Sequence, residues 1–148
     1  MLKKIGYTLL ALSGWWMLAC SDPEAAQQKA WDGVMVVHDE IMPWMGEMNR
    51  ITQDLKGKVA DPSLSVEVAS QIQTAVEDLD AADAAMWRWM NRLRTMDELR
   101  ATETHEAIMA YLAAEKQSID ELKMQMQSGM DAGKALLASF SGDENQKQ

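Results

Sequence analysis

Cysteine is all but missing from this chain: Cys20 is the only one among 148 residues. That excludes a disulfide framework and any thiolate zinc site. Histidine is nearly as scarce, with His38 and His105 alone. Neither belongs to a His-Glu-x-x-His zinc motif, no serine-histidine-acid spacing is present, and no phosphate-binding glycine loop occurs, so the chain is not expected to be an enzyme. Proline and glycine are low, at three and eight residues. Beyond the first twenty or so residues, valine, isoleucine and threonine never alternate over a length that would make a strand. The one strand-like run, Val34-Met35-Val36-Val37, sits inside a helical pattern. Positive charge is in deficit too, leaving a formal net charge of -9. An acidic surface argues against nucleic acid as a partner and against electrostatic docking on anionic lipid.

What is present begins at the N-terminus. Lys3-Lys4 precede an apolar segment that closes on Met17-Leu18-Ala19-Cys20. A basic start, an apolar stretch and a small residue before a cleavage point mark a secretory signal peptide, expected over 1–19. Cys20 just past the small residue resembles the lipobox of bacterial lipoproteins, although Met17 stands where leucine is commonest. That resemblance implies a diacylglycerol on the Cys20 thiol, cleavage before it, and acylation of the new amine. The alternative, an uncleaved transmembrane anchor, is disfavoured. Ile5 to Ala19 falls short of the roughly 20 apolar residues a spanning helix needs, and Gly6 and Gly14 interrupt it. Two or three acyl chains hold a protein stably on a bilayer, at about 0.8 kcal/mol per buried CH₂. Ser21, rather than aspartate, after the cysteine suggests by analogy with enteric bacteria the outer membrane, facing the periplasm.

Losing residues 1–19 removes Lys3 and Lys4 and makes the remainder more acidic still. It leaves roughly 129 residues, one domain's worth. Alanine, leucine, methionine, glutamate, glutamine and lysine dominate, and all favour helix. Three helices are expected, over 23–56, 62–95 and 103–138, with a disordered tail over 139–148. Asp22-Pro23 and Asp61-Pro62 read as helix starts, and Thr102 or Thr104 as the third cap. The apolar stripes run Trp31, Val34/Met35, His38, Ile41/Met42, Met45, Met48, Leu55; then Val68, Ile72, Ala75/Val76, Leu79, Asp83, Met86, Met90, Leu93; then Ile108, Tyr111/Leu112, Glu115, Ile119, Leu122, Met126, Met130, Leu137. Helices of about 33 residues are roughly 50 Å long. Short connections force neighbours antiparallel, so the expected fold is all-α, an up-down-up three-helix bundle over 20–138. The Gly129 to Gly133 stretch, with Met109 and Met124, offers an outer face for another chain.

Three stripe positions are polar: His38, Asp83 and Glu115. With turns centred near 60 and 99, helical rise brings these three to one level of the core, with Met35, Met42 and Met86 within a turn. Buried without partners they would each cost several kcal/mol. One reading is a satisfied polar layer that fixes register, with Lys116 or Arg88 reaching in. The other is a metal site formed by His38, Met42, Met45, Asp83, Met86 and Glu115. Carboxylates with histidine suit zinc or copper(II), and thioethers suit copper(I). Trp44, Trp87 and Trp89 could cover it. Pro43, mid-helix, removes a hydrogen bond to the Asp39 carbonyl and should kink the first helix. His105, near a helix end, is expected to be solvated.

The stretch Val37-His38-Asp39-Glu40-Ile41-Met42-Pro43-Trp44-Met45-Gly46-Glu47-Met48 resembles the His-Asp-Glu-x-Met-Pro-x-Met-Gly signature of small envelope lipoproteins of the Bacteroidetes type, often labelled viral A-type inclusion proteins. Ala85-Met86-Trp87-Arg88-Trp89-Met90 is similar to their Ala-Met-Met-x-Trp-Met block. Tyr111-Leu112-Ala113-Ala114-Glu115-Lys116 is similar to their Tyr-Leu-x-x-Glu-Lys block. The resemblance implies no chemistry, and it departs at Asp83, where a histidine is expected. Together these readings give a non-catalytic, lipid-anchored helical module of the cell envelope with an envelope protein as partner. The alternative is a copper-handling lipoprotein of the periplasm.

Overall fold

Asp22 opens the first helix as expected. Its Oδ1 accepts from the Glu24 N–H at 3.0 Å, and Pro23, which has no N–H to lose, takes the first helical position. The computed structural model describes residues 22–60, 62 and 64–145, with side chains as far as Phe140. Cys20 and the expected signal segment lie outside the described residues. Five helices follow in order: α1 Pro23–Ile41, α2 Trp44–Lys58, α3 Val66–Arg92, α4 Met96–Thr102 and α5 His105–Asn145. There is no strand among the described residues.

The all-α class holds, but four helices, α1, α2, α3 and α5, pack against one another, where three were expected. The expected helix over 23–56 is two helices. Pro43 supplies no N–H, so α1 stops at Ile41 and α2 starts at Trp44. The break stays local: Met42 and Pro43 keep right-handed helical dihedrals, and the Met42 N–H still reaches the His38 carbonyl at 2.9 Å. The second helix starts later than the Asp61-Pro62 pair suggested, at Val66, because Ser65 is the residue whose hydroxyl accepts the Val68 N–H, at 3.3 Å. Thr104 caps α5, accepting from the Ala107 N–H at 3.3 Å.

The stretch after α3 holds α4, a short helix across the end of the bundle. A reciprocal cap fixes it. Glu98 accepts the Thr95 N–H at 2.8 Å, and Thr95 Oγ1 accepts the Glu98 N–H at 3.3 Å. Met96 and Leu99 of α4 form a small core with Ile108 and Leu112, and Trp31 packs on it. The main core fills the rest of the length, from Val34, Ile41, Met48 and Leu55 to Ile72, Leu79, Met86, Ile119 and Met126.

Cross-helix contacts give the directions. Gln27 meets His105, Glu40 meets Lys123 and Glu47 meets Lys134, so α1 and α2 run with α5. Lys56 meets Asp80 and Arg92 meets Glu115, so α3 runs against both. The glycine stretch of α5 does not face outward. Gly129 and Gly133 are buried, and a Cβ on Gly133 would lie 2.5 Å from Ile51 Cγ2. Over 139–145, where a tail was expected, α5 stays helical to Asn145. Phe140 packs on the core there, beneath the Lys58 ammonium 5.6 Å from its ring centre.

Candidate functional site

A tight turn near residue 99 would have set Asp83 opposite Glu115. Instead α4 occupies that connection and shifts the register of α5 against α3. Glu115 consequently faces Arg92, whose Nη2 donates to Glu115 Oε2 at 3.2 Å and to Ser118 Oγ at 2.6 Å. Asp83 lies roughly nine residues back along α3, about 13 Å at the helical rise. Glu115 is buried, as its place in the stripe implied, at 8 % exposure. The cation that reaches it is Arg92, not Lys116 or Arg88; Lys116 pairs with Asp120 on its own helix.

His38 and Asp83 sit at the edges of their stripes, for one shared reason. In each case the preceding residue takes the core position: Val37 is 8 % exposed and Ala82 fully buried. One residue turns a helix by about 100°, enough to move the polar neighbour to the stripe's margin. His38 is half-buried, and its Nδ1 lies 2.9 Å from Asp39 Oδ1. Its ring stacks on Trp89, with centroids 5.7 Å apart and an interplanar angle of 28°. Asp83 is half-buried and has no ion pair among the described residues. Thus His38, Asp83 and Glu115 do not converge. Among the described residues no three histidine, cysteine, aspartate or glutamate side chains gather into a group that could hold a metal ion.

The methionines divide likewise. Met86 is fully buried in the core, while Met42 and Met45 are half-buried and pack on its margin. Of the tryptophans, Trp89 is in the core, Trp44 lies under the Lys123 ammonium at 6.0 Å, and Trp87 is 54 % exposed. The Trp89 Nε1–H is buried and has no acceptor among the described residues.

What the structure does assemble is a clamp on the C-terminal end of α3. Tyr111 and Glu115, one turn apart on α5, both grip it: the Tyr111 hydroxyl accepts the Arg94 N–H at 2.9 Å, and Glu115 holds Arg92. Arg94 in turn donates to Glu103 at 2.8 Å and to Thr102 at 2.7 Å, closing the connection around α4. His38 of the first distinctive block stacks on Trp89 of the second, and just beyond that block on α3 Arg92 and Arg94 meet Glu115 and Tyr111 of the third.

A second polar cluster gave no sequence signal. Gln27 of α1, only 5 % exposed, reaches α4 and α5. Its Oε1 accepts from Arg100 Nε at 3.0 Å, so its amide nitrogen faces His105 Nδ1, at 3.2 Å, as donor. Arg100 also donates to the Glu24 carbonyl at 3.3 Å. His105 is therefore a partner in a helix-to-helix tie, not a solvated end residue. A buried glutamine in the second turn of a polar helix start looks like any surface glutamine until its partners, over seventy residues away, are known.

No described helix is long and apolar enough to cross a membrane. Compared with models of protein families, with curated proteins and with solved structures, the chain matches none.

Proposed function

We propose that the chain is a non-catalytic lipoprotein of the bacterial cell envelope, anchored through acylated Cys20 and acting as a helical module that binds an envelope partner. The observation that carries this reading is the use made of the distinctive blocks. Tyr111 and Glu115 are engaged with α3, and His38 with Asp39 and Trp89, so these groups serve helix-to-helix contact and are not arrayed around a reacting position. The anchor fits the same picture. Helix α1 is capped at Asp22, two residues after Cys20, and Gln27 ties its second turn to α4 and α5. The bundle then stands close to the bilayer instead of swinging on a tether. The resemblance to small Bacteroidetes-type envelope lipoproteins points the same way, and Ser21 favours the outer membrane, periplasmic face.

The test is fractionation and N-terminal mass analysis of the full chain expressed in a bacterial host. The wild type is expected in the outer-membrane fraction with an acylated Cys20 as its first residue. Cys20→Ala is expected to lose both acyl mass and processing. Mature-size Cys20→Ala protein in the membrane fraction would overturn the anchor.

One observation supports the copper-handling alternative. Asp39 holds His38 Nδ1 at 2.9 Å, the arrangement in which a carboxylate orients a metal-binding imidazole through its other nitrogen. Met42 follows one turn along the same side of the chain, and its thioether suits copper(I). A copper(I) competition titration decides: near-stoichiometric binding that falls in His38→Ala and Met42→Ala supports it, and equal binding by the variants ends it.

A further inference from the structure

Between α3 and α5 lies a cleft of about 270 Å³, small against the ~300–1,000 Å³ usual for drug-sized ligands. On a chain of net charge -9 it gathers two guanidiniums, Arg88 and Arg92, one turn apart on the same face of α3. Arg92 is engaged by Glu115 and Ser118. Arg88 makes no ion pair among the described residues, although it stands beside a like charge. Trp89 lines the same cleft, is 3 % exposed, and carries the buried N–H that lacks an acceptor among the described residues. A buried donor without a partner is rare enough to need a reason. Ala85 and Leu122 add apolar wall, and Ser118 a hydroxyl. Glu121 also lines the cleft, hydrogen-bonded by Gln117 at 2.8 Å, and its charge opposes a multiply charged anion.

We propose that this cleft binds a small organic monocarboxylate, its carboxylate on the Arg88 guanidinium and its alkyl or aryl part against Ala85 and Leu122. Arginine suits that role because its planar fork matches the two carboxylate oxygens. A cleft of this volume accommodates an acid of the order of butyrate or benzoate. The inference is independent of the lipid anchor and of copper.

The experiment uses the full chain in detergent micelles, labelled with nitrogen-15 at the indoles, and titrated at constant ionic strength with butyrate, benzoate and inorganic phosphate. The Trp89 signal is assigned by its loss in Trp89→Phe. A saturable shift of that signal with butyrate or benzoate is expected, and none with phosphate. Arg88→Gln is expected to weaken binding roughly tenfold, while Arg50→Gln, whose residue pairs with Asp54 away from the cleft, leaves it unchanged. Arg88 is exposed, so the variant should fold; an unchanged melting temperature checks this, and Arg88→Lys, with the charge kept and the fork lost, serves in its place if it does not. An unmoved Trp89 signal, an equal response to phosphate, or undiminished binding by the Arg88 variant that folds overturns the proposal.

Discussion

Glu115 shows how one buried carboxylate is made tolerable. Its side chain is 10 % exposed, whereas that of Arg92 is 55 % exposed, so the pair spans the boundary between core and water. The arginine stem covers apolar surface while its head remains partly hydrated. Removing the cation alone strands a buried acceptor. Arg92→Ala is therefore expected to lose about 1–3 kcal/mol of stability in urea unfolding followed by circular dichroism. Adding Glu115→Leu to that variant should recover most of the loss, because apolar replacement of a buried ion pair is often neutral or better. An Arg92→Ala protein as stable as wild type would show that Glu115 is adequately solvated by itself. His38 and Asp83 teach the complementary lesson. Their periodicity admitted them to the stripes, and the better hydrophobes beside them, Val37 and Ala82, displaced them.

At the scale of elements, Pro43 and Gly133 set how the helices meet. Because α1 and α2 are separate helices, each aligns on α5 with its own set of contacts: Glu40 to Lys123 before the break, Glu47 to Lys134 after it. On α5, Gly133 lets Ile51 of α2 come within contact of the backbone, with Leu79 and Leu55 on either side. Gly46 of α2, by contrast, has open space where a Cβ would stand. Alanine is favoured over glycine in a helix interior by about 0.5–1 kcal/mol, so Gly46→Ala should raise the melting temperature. Gly133→Ala should lower it, since overpacking costs about 1–3 kcal/mol and the β-branched Ile51 cannot fold its methyl away. Equal melting temperatures for the two variants would contradict the close approach.

For the molecule as a whole, excess negative charge is offset at a few places. Lys134 lowers the pKa of Glu47, first through a hydrogen bond and then through its charge. The Thr95 N–H, then its hydroxyl, lowers that of Glu98. At the start of α5, the Glu106 N–H and then the Thr104 hydroxyl lower that of Glu106. A carboxyl whose folded pKa lies below its unfolded value contributes stability in full above the unfolded value, and that contribution is lost as pH falls through the folded one. The urea midpoint should therefore fall on acidification from neutral pH through and below the ordinary glutamate range. The combined variant Glu47→Gln, Glu98→Gln, Glu106→Gln should show a shallower fall. An identical pH profile would mean that these three groups are as well accommodated in the unfolded chain.

Helical class, the Asp22-Pro23 start, a threonine cap at 102 or 104 and most core positions were legible from local chemistry and period alone, because capping and amphipathicity act within a turn or two of sequence; the packing chose Thr104. The signal segment and Cys20 are read the same way, from residues that lie outside those the structure describes. Register was not legible. The α4 cap at Thr95 and Glu98 is short and polar, so the connection read as a simple break, and every cross-helix pairing inferred through it slid by several residues. The Gln27, Arg100 and His105 tie was hidden for the same reason. Composition and periodicity determined that this chain forms amphipathic helices; which polar side chains met, and whether they met one another or a cation, only the packing decided, since long-range pairing depends on connection geometry that no local pattern encodes.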